Sequence, residues 1–119
     1  MLAFFAVTTI AFAAQAATPP AATPFRLLPY DEVVRCAGLA QAASELEGGE
    51  SAEGKALSDA ALYWSLTAGQ AAVTAGKTPA AADADQARAR IQAVRELNAG
   101  NADARADLTR CRQRTPDLG

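Results

Sequence analysis

The chain has 119 residues, enough for one small domain and not for two. Its 11 basic and 13 acidic side chains leave a net charge of −2, which argues against bulk nucleic-acid binding. There is no histidine, which removes the commonest general base and most transition-metal sites, and an alanine-rich chain with few aromatic or β-branched residues argues against an all-β fold.

Residues 1–25 carry no charge, and Leu2 to Ala13 is an apolar run broken only by two threonines. A bilayer span needs about 20 apolar residues, so this run has the length of a signal-peptide core instead. Ala14-Gln15-Ala16 follows as a small-x-small cleavage site. Residues 1–16 therefore read as a signal peptide cut before Ala17. A basic stretch ahead of the core is missing, so either translation starts upstream of Met1 or export tolerates its absence. Residues 17–30 contain ATPPAATP, a proline- and alanine-rich leader expected to be extended.

Export decides how the two cysteines read. In an oxidising compartment, Cys36 and Cys111 are most simply one disulfide, and their spacing is far too wide for a CxxC redox motif. Closing a loop of about 75 residues adds at most ~4 kcal/mol in the chain-entropy model.

The first helix is expected over 31–47. Asp31 is its N-cap, Tyr30 a hydrophobic staple, and Asp31 and Arg35 an i,i+4 pair. Val33, Cys36, Leu39 or Ala40, Ala43 and Leu46 form its apolar stripe. Glu45, Glu47, Glu50 and Glu53 surround a GGESAEG loop whose spacing is not that of a calcium loop, so they read as solvated carboxylates.

The second helix is expected over 56–75, and Ala60 to Gly76 is seventeen residues without a charge. Wound at 100° per residue, it separates into faces. Leu62, Leu66, Gly69 and Val73 form an apolar face. Ala61, Trp64, Ala68, Ala72 and Ala75 form a smaller one beside it. Tyr63, Thr67, Gln70 and Thr74 align as an uncharged polar stripe. This pattern predicts a central helix buried on two sides. Tyr63, Trp64, Thr67 and Gln70 are the candidate interaction face, where an aromatic ring beside uncharged hydrogen-bonding groups suits a sugar, a peptide or a partner helix.

Thr78-Pro79 opens a third helix over 79–98, ended near Gly100, with Ala84, Ala87, Ile91, Val94 and Leu97 as its apolar stripe. Asn101 caps a fourth over 102–112, buried along Ala104, Leu108 and Cys111, with Arg110, Arg112 and Arg114 at its C-terminal end. Residues 116–119 are expected to fray.

These elements predict an all-α fold, a small four-helix antiparallel bundle over 31–115 closed by the disulfide. Residues 31–59 are net acidic and residues 77–117 net basic, so the first helix is expected beside the fourth. The carboxylate pairs Asp83/Asp85 and Glu45/Glu47 sit in polar contexts and two residues apart on a helix, a poor arrangement for acid–base catalysis. No catalytic, cofactor-binding or metal-ligand pattern is apparent. The expected function is that of an exported, periplasmic or secreted, non-enzymatic binding or interaction protein. The alternative is a periplasmic stress chaperone held by one disulfide, by analogy of architecture. The expected partner is a protein or cell-envelope component, with no stable membrane span after cleavage.

Overall fold

The structure, a computed structural model, describes residues 28–117. The expected signal peptide, most of the expected leader and the last two residues lie outside the described residues. Four helices follow in order: α1 Tyr30–Glu47, α2 Ala52–Thr74, α3 Pro79–Asn98 and α4 Ala102–Gln113. They form the antiparallel bundle expected from the sequence. No helix among the described residues is long and apolar enough to cross a membrane.

The helix starts follow capping chemistry. Ser51, Thr78 and Asn101 each accept a hydrogen bond from the backbone N–H three residues on, at Gly54, Ala81 and Ala104. The Ser51 cap starts α2 four residues before the position expected, because a stretch read as loop continues the helix. Gly54 allows this: a Cβ there would lie 1.8 Å from the Gly48 carbonyl oxygen. At α1 the expected Asp31 cap is not formed. Pro29 occupies the cap position without a side-chain hydrogen bond, and Asp31 and Glu32 lie in the first helical turn, where their charge suits the dipole.

α1, not α2, is the central helix. Cys36, Ala37, Gly38, Leu39 and Ala40 are five consecutive buried residues. At 100° per residue such a run covers the whole circumference of a helix. α1 packs against α2, α3 and α4. α2 instead buries one stripe, Leu57, Ala60, Trp64, Ala68 and Ala72. The larger aliphatic face turns outward, with Leu62 57%, Leu66 62% and Val73 78% exposed. Periodicity locates both faces but does not say which one goes inside. Trp64 decides it, since a buried indole removes more apolar surface than one leucine. The alanines around it let α2 approach the small residues of α1.

α3 departs from its expected stripe for a related reason. Ala84, Ala87 and Ile91 are exposed and Ala82 and Ala93 are buried, while Val94 and Leu97 pack against the core as expected. Gly38 of α1 packs so closely that an added Cβ would meet the Ala89 carbonyl carbon at 2.6 Å. Only small residues fit at that crossing. Leu46 of α1 is likewise half-exposed. On α4 the expected line of Ala104, Leu108 and Cys111 does face the core.

The Cys36–Cys111 disulfide joins α1 to α4 with a Cα–Cα distance of 5.5 Å. Arg35 pairs across helices with Glu96 at 2.6 Å and Asp107 at 3.4 Å, not with Asp31 on its own helix. The Arg35 hydrogen bonds hold the Glu96 carboxyl below its ordinary value. Glu32 and Arg114 lie 3.8 Å apart, so the acidic start of α1 meets the basic end of α4 as the charge distribution implied.

Candidate functional site

A cavity of about 620 Å³ opens at the end of the bundle where α1 begins and where α2 and α4 end. All four residues of the expected interaction face, Tyr63, Trp64, Thr67 and Gln70, line it. Their spacing puts them along the side of α2 that borders the buried stripe. Thr74, Ala71 and Ala75 continue that wall, and Leu28, Tyr30 and Val33 supply the opposite one. Arg114 from α4 is the one charged residue in the lining.

Several polar groups of the lining are engaged within the protein. Trp64 is 2% exposed, and its Nε1–H donates to Thr115 Oγ1 at 2.8 Å. The Thr115 hydroxyl in turn donates to the Cys111 carbonyl at 2.9 Å. A short relay therefore ties the indole to the residue that carries the disulfide. The Tyr63 ring meets the indole edge-on at 5.2 Å between centroids. The Thr67 hydroxyl donates to the Tyr63 carbonyl at 2.8 Å, and that of Thr74 to the Gln70 carbonyl at 3.3 Å. These two side chains bond their own helix, which the preceding turn makes available.

On the α1 side, the Tyr30 hydroxyl donates to Asp85 Oδ2 at 2.9 Å, and Lys77 Nζ sits 5.3 Å from the centre of the Tyr30 ring. Burial raises the Tyr30 pKa, and the hydrogen bond to Asp85 raises it further. The same bond lowers the Asp85 pKa, with Arg88 and Lys77 adding to the effect. Asp85 thus holds Tyr30 in place as a wall of the cavity.

The structure therefore brings together the four residues singled out on α2. It adds Leu28, Tyr30, Val33 and Arg114, which no pattern in the sequence connects to them because they come from other helices. Of the carboxylates weighed for catalysis, Asp85 is held by Tyr30, and Glu45 and Glu47 have partners outside the cavity; Glu53 belongs to the acidic loop. Glu45 binds Arg90 at 2.8 Å and Glu53 binds Arg112, whose hydrogen bonds lower the Glu53 pKa. Leu62, Leu66 and Val73 form an exposed apolar row on α2, a quarter-turn or so from the cavity wall.

The comparisons match the chain to no family model, no curated protein and no solved structure.

Proposed function

We propose that this chain is a non-enzymatic binding protein of an oxidising compartment outside the cytoplasm, periplasmic or secreted, and that it binds through the cavity-lined side of α2. The observation that carries this reading is the convergence of Tyr63, Trp64, Thr67 and Gln70 on one cavity. Its size lies within the range of small-molecule sites, about 300–1,000 Å³. The disulfide supports the compartment, since such bonds persist where thiols are not kept reduced. The engagement of Glu45, Glu53, Asp85 and Glu96 with cations or a phenol supports a role without acid–base chemistry.

Site-specific photo-crosslinking in the producing cell tests the reading. A photoreactive phenylalanine analogue at position 63 or 70 is expected to capture a discrete adduct. The same group at exposed Asp103 on α4 is expected to capture none. Equal labelling at all three positions would remove the cavity side of α2 as the binding surface.

A second reading, a periplasmic stress chaperone, is favoured by the exposed row of Leu62, Leu66 and Val73. Contiguous exposed apolar residues suit contact with an unfolded client. It predicts that the protein slows aggregation of a client, and that Leu62→Ser with Leu66→Ser abolishes the protection. A client aggregating equally with and without the protein, at pH 7 and at pH 3, excludes it.

A further inference from the structure

The chemistry of the cavity wall narrows what can occupy it. Four hydrogen-bonding groups of the lining are already spent within the protein. The Trp64 N–H goes to Thr115, the Tyr30 hydroxyl to Asp85, and the Thr67 and Thr74 hydroxyls to carbonyls of their own helix. An apolar body meets Leu28, Tyr63 and Ala71, which are partly exposed, whereas Trp64 and Val33 are each only 2% exposed. One cation stands among them. Arg114 is about half-exposed, and its pairing with the equally exposed Glu32 is long, at 3.8 Å. A bidentate carboxylate is the natural partner of such a guanidinium and would compete with Glu32 for it.

We propose that the cavity binds a single-chain anionic amphiphile, an alkyl carboxylate, with its carboxylate on Arg114 and its chain against Leu28, Tyr63 and Ala71. The proposal rests on the reading of this cavity as the binding site and specifies its ligand class. Arg114 selects the charge, and the apolar wall selects the chain. Glu32 acts as an internal competitor, leaving the guanidinium when the ligand arrives.

Trp64 is the only tryptophan of the chain, so its fluorescence reports on this wall alone. Bromine quenches an indole at short range, and the partly exposed Tyr63 ring lies 5.2 Å from that of Trp64. The test is a titration of the disulfide-intact protein with dodecanoic acid brominated on its chain, below its micelle concentration, beside the methyl ester of the same acid. The expected result is saturable, equimolar quenching, with the acid binding about tenfold more tightly than the ester. Arg114→Gln should bring the acid down to the level of the ester, and Arg114→Lys should restore part of the difference. Glu32→Gln should tighten the acid and leave the ester unchanged. Ala71→Phe, which places a ring on the wall where the chain would lie, should weaken quenching while the helical circular dichroism persists.

Equal affinity for acid and ester, or an Arg114→Gln variant that binds the acid as well as the parent, overturns the role of the charge. Quenching by neither compound overturns the ligand class altogether. The broader reading then stands or falls separately, on crosslinking from positions 63 and 70.

Discussion

Replacing Gly38 with alanine tests the packing on which the bundle depends. Gly38 lies at the crossing of α1 and α3. A Cβ there would sit 2.6 Å from the Ala89 carbonyl carbon, 2.7 Å from its oxygen and 2.8 Å from its Cβ. Ordinary carbon–carbon contact is about 3.5–4.0 Å, so the two helices must separate by about 1 Å. The obstruction is helix backbone and cannot rotate away. Overpacking of this kind costs about 3 kcal/mol at the upper end of its usual range. Alanine returns about 1 kcal/mol of helix propensity over glycine. The net expectation is a loss of about 2 kcal/mol, or roughly 8–16 °C in Tm for a domain of this size. Gly69 on α2 is the matched control, since it is exposed and a Cβ there would meet nothing within 4 Å. Gly69→Ala should therefore stabilise by about 1 kcal/mol. Thermal melts of the two variants followed by circular dichroism give both signs. A Gly38→Ala protein that melts higher than the parent would refute the close α1–α3 approach.

Three further predictions follow from the same geometry. Replacing Cys36 and Cys111 together with alanine should cost about 2–4 kcal/mol in urea unfolding, because the bond closes a loop of 75 residues; an unchanged midpoint would mean that α1 and α4 are held without it. Thr115→Val removes the acceptor of the Trp64 N–H and should cost about 1 kcal/mol in the same assay, with altered indole fluorescence. The depressed Glu96 and Asp85 carboxyls contribute stability that is present above the ordinary carboxylate pKa and lost as pH falls through their lowered folded values. Tm should hold near neutrality and fall below about pH 4.5, and Glu96→Gln should flatten part of that fall; a Tm that rises between pH 5 and pH 3 contradicts the assignment.

The elements themselves were legible because capping is local chemistry. Thr78-Pro79 and Asn101 set the starts of α3 and α4 with side chains that bond backbone three residues away. The cysteine pairing was legible because only two cysteines exist and the charge distribution favours the same neighbours. The order of burial was not. α2 carries two apolar faces, and choosing between them depends on partners that lie elsewhere in the chain. Trp64 can go inside with its N–H satisfied because Thr115, fifty-one residues later, accepts it. The α3 stripe held only at Val94 and Leu97 and failed at Ala84, Ala87 and Ile91, since the contact with Gly38 selects for small residues, not for large ones. Arg35 shows the limit for charges: Asp31 lies one turn away on its own helix, yet Glu96 and Asp107 from other helices win the guanidinium. For the candidate site, the α2 contribution could be read from its uncharged stripe. The walls from α1 and α4 required the fold.

The most direct test of the account is native mass spectrometry of the disulfide-intact protein taken from its own compartment, beside the Tyr63→Ala/Gln70→Ala variant. The account predicts a bound species on the parent and its loss from the variant, at an unchanged helical circular dichroism. Reduction should add two hydrogens to the denatured mass of both. A variant that retains the same bound species as the parent would contradict the assignment of binding to the α2 cavity.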